Sequence, residues 1–511
     1  MAIKTDIARF GLQESGYNYN RNYELIADIA TIEPSRNNNI HNGGLEKRGG
    51  TSVILTPSVA SAGRGGFDFR TSSGSQYMIY AKSNGAVYYN TDATTLATGL
   101  STSNFFHLSQ YDDELYICDG ANIPRKWTGS GSASAITAAT DWATTGQPFQ
   151  IIQHSQGANR RNWAITSAGV YASKNNTGDD FADATVKFIP VYSKAGLVAG
   201  FEFNGELFVF SKNQVFRIDD TDSDSTNWGY QEAIWEGGAA HWRLICKAGN
   251  QVYVMTDDAQ IYTISAVFSS ADYEISSLSR PAYIDRFLRE KAVISNIDNW
   301  HCCYDKKLRA IKWFVQVGGS NVNTALVYFI DKDPLNAWQI HDNEDYNSGY
   351  SAACSFEYRY GVGNWKIRTI DHIGKGWQLE ETTRDDDSNP YEGRFKFKPW
   401  DFGNPIMWKY FRKAIVRARS SSNVTFNVRI WVNGVRQTDR TLSISGSGAQ
   451  FDTALYDTDV FADDNPSFEP FDIEKYGFTI QMEFINSTAG QDYFVSEIVM
   501  PYREEGIRYD D

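Results

Sequence analysis

Three aspartates at alternating positions are the closest approach to a metal-binding motif in this sequence. Asp220, Asp222 and Asp224 match the odd-numbered carboxylates of a calcium loop, since a hard cation takes several oxygen ligands from one short segment. Ser225 stands where that loop requires glycine, and Gln231 stands where it requires a bidentate glutamate. We therefore interpret the three aspartates as part of a solvated turn and assign no metal ligand.

Hydrolysis of a glycosidic bond needs two carboxylates held a fixed distance apart. Asp119, Asp219 and Asp331 each follow a strand-like apolar run, but no two acids recur at equivalent positions of a repeat. An aspartate directly after a strand is ordinary turn chemistry, because its side chain accepts hydrogen bonds from nearby backbone N–H groups. These aspartates are expected to shape turns.

The histidines are isolated from one another, and none has the H-x-x-x-H or H-E-x-x-H spacing of a metal site. The sequence also lacks a G-x-S-x-G nucleophile elbow, a P-loop and a Rossmann glycine fingerprint in a fitting context. We assign no catalytic, cofactor-binding or metal-binding residue, name no cofactor, and expect the protein not to be an enzyme. The seven histidines are His41, His107, His154, His241, His301, His341 and His372.

A basic pair, Arg160 and Arg161, stands just ahead of Trp163 and could contact a nucleic acid by charge and stacking. The formal net charge of −14 opposes attraction of a phosphate backbone by the surface as a whole. The ordinary interpretation is a loop charge pair offset by acids such as Asp179 and Asp180.

Five cysteines, an odd number without a C-x-x-C pair, indicate neither a disulfide framework nor a zinc site. Buried reduced thiols are expected. No run approaches 18 consecutive apolar residues, and residues 1–6 lack the apolar core of a signal peptide, so we expect a soluble protein made in the cytosol. The cysteines are Cys118, Cys246, Cys302, Cys303 and Cys354.

The elements that must position these residues are repeated hairpins. An apolar β-prone run, a polar turn and a second apolar run recur about every 40 to 55 residues, the period typical of propeller blades. Tyr, Phe, Val and Ile suit a pleated, half-buried surface, and Asn-Gly or Asp-Gly supplies the positive φ of a tight hairpin turn. The clearest copies begin at Gln76, Glu114, Glu206 and Gln251.

A single hairpin is marginally stable in water, so several must stack around a common axis to bury enough apolar area. Weaker copies over residues 163–171, 310–330 and 365–379 fill the gaps between the clear ones. The pattern predicts an all-β protein whose main body is a β-propeller of about six or seven blades.

The domain boundaries are predicted from the residues at which the repeated hairpin pattern begins and ends. We predict an N-terminal arm with the first strand over residues 1–50, the β-propeller over 51–398 and a C-terminal β-sandwich over 399–511. One helix is predicted between residues 279 and 293, and the acidic stretch 452–464 and the tail 503–511 are predicted to lie on the surface. Sandwich strands are predicted over residues 411–417, 424–432, 435–443, 478–484 and 494–500.

Four motifs, in their order along the chain, resemble the β-propeller tail proteins of short-tailed bacteriophages, the nozzle, tubular or stabilisation subunits below the portal. The first is Gly-Leu-Glu-Lys-Arg-Gly-Gly-Thr at residues 44–51, and the second is the hairpin at 207–218. The third is Ala-Ala-His-Trp at 239–242 with the hairpin at 252–262 and Leu-Ser-Arg-Pro at 278–281. The last is a C-terminal β-domain that ends in the stretch 502–508.

The resemblance implies a structural virion protein in the phage tail that forms a closed ring of about six copies. Its implied partners are itself, portal or adaptor proteins, tail fibres or spikes, and genomic DNA that passes through the lumen without sequence-specific binding. An alternative is a carbohydrate-binding or glycan-cleaving propeller, with Trp127, Trp228 and Trp235 as exposed stacking platforms. A peptide-binding scaffold propeller is less favoured, because regular Trp-Asp repeat endings are absent.

Overall fold

Strands account for most of the regular structure in this chain. The computed structural model describes residues 5–40, 43–156, 159–182, 187–232, 235, 237–267, 272–342, 348–361, 363–446 and 467–506. None of the helices in these ranges combines the length and the apolar character that a membrane span requires. The predicted acidic loop at 452–464 and the end of the predicted tail, 507–511, lie outside the described residues.

The first four strands serve two different domains. The first three pair within a sheet that also contains the C-terminal strands, whereas the fourth pairs with a strand more than 300 residues later. They are β1 (Asp6–Gly11), β2 (Asn38–Asn39), β3 (Leu45–Lys47) and β4 (Gly50–Leu55).

Seven four-stranded antiparallel sheets, the blades, follow in the described part of the chain. Each of the first six uses four consecutive strands, and the seventh takes β4 as its fourth. The strands are β5 (Gly63–Arg70), β6 (Gln76–Lys82), β7 (Ala86–Tyr89) and β8 (Thr91–Ala97) in blade 1; β9 (His107–Tyr111), β10 (Glu114–Cys118), β11 (Arg125–Trp127) and β12 (Ser134–Ala135) in blade 2; β13 (Gln150–Gln156), β14 (Asn159–Thr166), β15 (Gly169–Ala172) and β16 (Lys187–Pro190) in blade 3; β17 (Ala199–Phe203), β18 (Glu206–Phe210), β19 (Val215–Asp219) and β20 (Gly229–Glu232) in blade 4; β21 (Ile245–Ala248), β22 (Gln251–Met255), β23 (Ile261–Val267) and β24 (Asp272–Ser277) in blade 5; β25 (His301–Asp305), β26 (Ala310–Val315), β27 (Thr324–Phe329) and β28 (Trp338–Asp342) in blade 6; and β29 (Ala352–Gly361), β30 (Asn364–Asp371) and β31 (Gly376–Glu381) in blade 7.

The second strands of blades 2, 4 and 5 each carry a continuous apolar run, because both faces of the strand are buried there. In β10, Leu115 and Ile117 pack with blade 1, whereas Tyr116 and Cys118 pack with blade 3. A strand covered on both faces has no solvent side, so its sequence does not alternate between apolar and polar residues. The continuous runs that revealed the repeat are therefore the contacts that hold neighbouring blades together.

The first strands of the blades form the inner ring. β5 contacts β9, β9 contacts β13, β13 contacts β17, β21 contacts β25, β25 contacts β29, and β29 returns to β5. Blades 4 and 5 meet through an apolar cluster that includes Phe208, Phe210, Val252 and Val254. The body is a closed β-propeller of seven blades, which confirms the predicted fold class.

The remaining strands build a β-sandwich. One sheet has the order β2-β3-β39-β33-β37, with β1 also paired to β39, and the other has the order β32-β38-β34-β35, with β36 paired to β34. These strands are β32 (Gly393–Lys396), β33 (Trp408–Arg419), β34 (Val424–Val432), β35 (Val435–Arg436), β36 (Arg440–Ile444), β37 (Ser467–Gly477), β38 (Ile480–Asn486) and β39 (Phe494–Gly506).

The sandwich draws on more of the chain than residues 399–511. The N-terminal arm supplies β1, β2 and β3, and β32 lies before the predicted boundary. The strand β37 did not appear in the sequence pattern because Pro470 interrupts it; proline is tolerated here because β37 is an edge strand.

Helices are few and short in the described ranges. The predicted helix between residues 279 and 293 is confirmed as α2 (Ile284–Lys291), whose buried side chains are Ile284, Phe287 and Leu288. The other α-helix is α1 (Trp142–Thr145), and 3-10 turns lie at Leu12–Glu14, Tyr23–Leu25, Ser225–Asn227, Trp242–Leu244 and Ile294–Asn299.

Close approach between blades 7 and 1 depends on glycine. A Cβ on Gly66 would lie 2.1 Å from Cδ1 of the buried Phe356 ring. We expect Gly66→Ala to lower the thermal unfolding midpoint, at a cost of about 1–3 kcal/mol typical of overpacking. Gly229→Ala is the matched control, because a Cβ there has nothing within 4 Å. Equal midpoints for the two variants in scanning fluorimetry would contradict this account of the blade contact.

Candidate functional site

The segment at residues 44–51 joins the two domains. Within it, β3 pairs with β39 of the sandwich, and β4 starts at Gly50 and pairs with β31 of blade 7. The chain therefore crosses from one domain to the other through Arg48 and Gly49 alone. We call the buried polar side chains around this crossing the interdomain joint; they are Asn37, Lys47, Arg48, Lys312, Tyr350, Glu380, Asp386 and Tyr391.

Arg48 is the centre of the interdomain joint and has no exposed side-chain surface. Its Nη1 and Nη2 donate to the two Asp386 carboxylate oxygens at 3.0 and 2.7 Å, and its Nε donates to Asn37 Oδ1 at 2.9 Å. The guanidinium carbon lies 3.7 Å from the centre of the Tyr391 ring and 4.4 Å from that of Tyr350. Burial by itself would lower the pKa of Arg48, but the Asp386 carboxylate more than offsets this and raises it.

A second buried ion pair connects the crossing to blade 6. Lys312 Nζ lies 2.7 Å from Glu380 Oε1 and 3.3 Å from Asp305 Oδ2. Glu380 also accepts hydrogen bonds from the Gly49 backbone N–H at 2.8 Å and from the Tyr350 hydroxyl at 2.8 Å. Burial would raise the pKa of Glu380, but Lys312 holds it well below its usual range. The carboxylate thus stays ionised and fixes the backbone of the crossing.

Lys47 faces the sandwich from the same segment. Its Nζ donates to Asn486 Oδ1 at 2.9 Å and to the Thr488 carbonyl at 3.1 Å, and its side chain is fully buried. Burial, followed by the charges of Arg48 and Arg384, lowers the pKa of Lys47 to about 7. The residues that carry the sequence resemblance at 44–51 are therefore buried structural groups.

A cavity lies on the propeller axis. It has a volume of about 590 Å³ and is lined by residues from the first strand of every blade or from the turns just before those strands. Glu202 and Lys247 line this cavity and form an ion pair at 3.6 Å. We call it the axial cavity.

One end of the axial cavity carries two arginines. Arg64 occupies a β-bulge between Gly63 and Gly65, which turns its side chain out of the regular alternation. Arg243 donates to the Ala353 carbonyl at 2.5 Å and to the Asn299 carbonyl at 3.3 Å. The two guanidinium carbons lie 4.8 and 3.5 Å from the centre of the Phe105 ring.

The charge of these arginines has no carboxylate partner among the described residues. Burial, together with the charge of Arg64, lowers the pKa of Arg243 to about 9, and burial lowers that of Arg64. We call Arg64 and Arg243, with the four histidines near them, the cationic end of the axial cavity.

Four histidines that look isolated in the sequence lie near these arginines, and two of them, His107 and His301, line the cavity. Burial lowers the pKa of His107 to about 4, and burial with the charges of Arg243 and Lys212 lowers that of His241 to about 3. Burial and then the charge of Arg243 lower the pKa of His301, and burial lowers that of His372. Residue spacing could not reveal this group, because its members come from different blades; the only signal is that His107 and His301 each begin the first strand of a blade.

The aspartates singled out in the sequence shape turns. Asp224 Oδ1 accepts from the Thr226 N–H at 2.9 Å, and Asp222 Oδ1 accepts from the Asp224 N–H at 2.8 Å. Asp220 points elsewhere and pairs with His154 at 3.2 Å. Within the described residues no group of three or more His, Cys, Asp and Glu side chains is placed to hold a metal ion.

Turn chemistry also explains two of the other three aspartates, whereas the third forms an ion pair. Asp119 accepts from the Ala121 and Asn122 backbone N–H groups at 2.9 and 2.8 Å. Asp219 accepts from the Thr221 hydroxyl at 2.8 Å, and Asp331 pairs with Arg309 at 2.5 Å.

The basic pair at 160–161 lies in the strand β14 and not in a loop. Arg160 pairs with Asp112 at 2.6 Å, whereas the predicted offset by Asp179 is wrong because Asp179 pairs with Lys126 at 2.6 Å. The guanidinium carbon of Arg161 lies 5.3 Å from the centre of the Trp228 ring. The two arginines therefore support the strand and its neighbours.

Two of the three tryptophans proposed as sugar platforms are core residues. Trp127 is 2% exposed and Trp228 is 8% exposed, so neither offers a face to a ligand. Trp235 packs with Phe203, Phe208 and Phe210 in the apolar layer between blades 4 and 5. The expectation of exposed stacking platforms is wrong for Trp127 and Trp228.

The five cysteines are free thiols, and all except the half-buried Cys302 are buried. Burial raises the pKa of Cys118 and Cys303. This confirms the expectation of buried reduced thiols.

Comparisons with known proteins return remote likenesses. No family model and no curated protein matches the sequence. Among solved structures the chain is similar to BBS1N in complex with ARL6DN, with 10% identity, a TM-score of 0.40 and coverage of 67% of this chain and 99% of that one. It is also similar to YCF48 bound to D1 peptide, with 11% identity, a TM-score of 0.37 and coverage of 64% of this chain and 94% of that one. A third similar structure is the N-terminal domain of Nup159, with 9% identity, a TM-score of 0.36 and coverage of 66% of this chain and 95% of that one. The propeller assignment follows from the strand pairing and the inner ring described above.

The lowered pKa of Lys47 predicts a pH dependence of stability. The unfolded chain holds this proton up to about pH 10.5, whereas the folded chain releases it near pH 7. Between these values the unfolded state binds more protons, so the contribution of Lys47 to the free energy of unfolding rises with pH. The difference in thermal midpoint, Lys47→Met minus wild type, should therefore be higher at pH 6.5 than at pH 9.

The control for this comparison is Lys194→Met, which removes an exposed lysine. Its difference from wild type should be the same at both pH values. A pH-independent difference for Lys47→Met would show that the side chain is not held in the buried environment described.

Proposed function

We propose that this chain is a structural subunit of a phage tail nozzle or hub, assembled below the portal and adaptor as a closed ring of about six copies. Tail fibres or spikes dock on the ring, and genomic DNA passes through its lumen without sequence-specific contacts. The chain performs no chemistry in this role; its contribution is a rigid body and a set of docking surfaces.

The observation that carries the proposal is the position of the segment 44–51. This stretch opens the motif order that resembles the tail proteins. In the folded chain it crosses between the two domains and contributes Lys47 and Arg48 to the interdomain joint, where both are buried. A tail ring must transmit force between its neighbours without deforming, and a buried, doubly paired crossing suits that demand.

The outward face of β33 is a suitable contact surface for the next copy. Arg412, Lys413, Arg417 and Arg419 lie on this strand, partly or fully exposed, and form no ion pair within the described residues. Phe468 on the neighbouring strand is 58% exposed. On a protein with a net charge of −14, such a cationic strip is complementary to most of the remaining surface of another copy.

The acidic balance of the whole chain also suits a DNA conduit. Negative charge on a lumen wall repels the phosphate backbone, so a duplex can slide without sticking. Closed cyclic symmetry places the same face of every copy on the lumen.

Mass photometry and negative-stain microscopy test the proposal. The full chain, mixed with the portal and adaptor proteins of its own virus, should give particles near six times the 57.5 kDa monomer mass, with an axial opening. The double substitution Arg417→Glu and Arg419→Glu reverses the charge of two residues of the strip. It should abolish the ring or sharply reduce its population, because like charges then face each other across the contact.

The control is Arg436→Glu, which reverses an exposed arginine on β35 in the other sheet and should leave the ring intact. Monomers alone in the presence of the partner proteins would refute the proposed ring. Rings that form with Arg417→Glu and Arg419→Glu but not with Arg436→Glu would show that the contact between copies does not lie on β33.

A further inference from the structure

The axial cavity presents concentrated positive charge in an otherwise acidic protein. Arg64 from blade 1 and Arg243 from the turn before blade 5 both approach the Phe105 ring. Neither has a carboxylate partner in the described part of the chain. The free energy cost of burying such a charge is large unless an opposite charge accompanies it.

The donor groups at this end are only partly used. The hydrogen bonds that Arg243 makes to two backbone carbonyls occupy two of its five N–H groups. Arg64 Nε is buried and has no hydrogen-bond partner among the described atoms, and the same holds for His107 Nδ1 and His372 Nε2. Of these residues, Arg64, Arg243 and His107 line the open volume of about 590 Å³.

The nearby carboxylates are engaged elsewhere. Asp371, which adjoins His372, accepts from the Trp377 indole N–H at 3.0 Å and from the Ile373 and Lys375 backbone N–H groups at 2.9 and 2.8 Å. Glu202, on the cavity wall, pairs with Lys247. Neither neutralises the arginines.

We propose that the cationic end of the axial cavity binds a phosphate group, as the free ion or as a small phosphomonoester. A tetrahedral oxyanion accepts hydrogen bonds in several directions, which matches donors that converge from different blades. Guanidinium groups are suited to this recognition because their N–H groups form a planar fork that pairs with two oxygens at once. Neutral histidines add single N–H donors without further charge.

The binding of such an anion would also give these arginines a counter-charge. Without it, the half-buried Arg64 and the buried Arg243 repel each other. With it, the folded state gains a bound ligand that the unfolded chain lacks, and the free energy of unfolding rises with ligand concentration. The bulge at Arg64 serves this purpose, because the regular strand would not aim the side chain into the cavity.

Isothermal titration with inorganic phosphate, at an ionic strength held constant with sodium chloride, tests the proposal on the full chain. Wild type should bind phosphate saturably, and its thermal midpoint should rise with phosphate and not with chloride. Arg64→Gln should weaken the binding about tenfold or more, since it removes charge-assisted hydrogen bonds. A parallel titration with glycerol 3-phosphate identifies which source of the group binds more tightly.

Two comparisons separate binding from a structural role. In the absence of phosphate, Arg64→Gln should be at least as stable as wild type, because it removes a half-buried charge that repels Arg243, whereas a structural arginine would leave the variant less stable. Arg436→Gln, an exposed arginine on the sandwich, should bind phosphate as wild type does. No saturable binding by wild type, or equal binding by Arg64→Gln, would overturn the proposal.

Discussion

The buried ion pair between Arg48 and Asp386 is the contact on which the two-domain arrangement depends. Both side chains have no exposed surface, and the pair lies where the chain passes from the sandwich to blade 7. Replacement of one partner of such a pair leaves the other charge buried and unpaired, which typically costs about 3–5 kcal/mol. The second pair, Lys312 with Glu380, anchors the same crossing to blade 6. Each domain is therefore completed by residues that the other domain holds in place.

Closure of the propeller and assembly of the sandwich are coupled through this crossing. Blade 7 needs β4 as its fourth strand, and the sandwich sheet needs β3, yet only two residues separate these strands. A displacement of either strand therefore moves the other. This coupling gives a physical reason for the sequence 44–51: Lys47 and Arg48 satisfy buried carbonyls and carboxylates, and Gly50 leaves room for the Asp385 carbonyl, which would lie 2.0 Å from a Cβ. The same rigidity suits the ring subunit that we propose.

The sequence predicted what depends on local periodicity and missed what depends on distant pairing. The runs at 115–118 and 207–210 revealed blades because a middle strand is buried on both faces, and α2 was visible from three apolar residues on one face. The strands β2 and β3 are two and three residues long, too short to show a pattern. The strand β37 was missed because Pro470 interrupts its sequence pattern. The segment that contains Lys47 and Arg48 was predicted only as an arm that leads into the first strand, and nothing in its sequence indicated that both side chains are buried. The cationic end of the axial cavity could not be predicted, because Arg64, Arg243 and His301 come from separate elements.

Scanning calorimetry of the intact chain and of Asp386→Asn tests the coupling of the two domains most directly. If the interdomain joint makes each domain depend on the other, wild type unfolds in one transition, and Asp386→Asn either lowers that transition or splits it into two. Two separate transitions in wild type, unchanged in temperature by Asp386→Asn, would contradict the account.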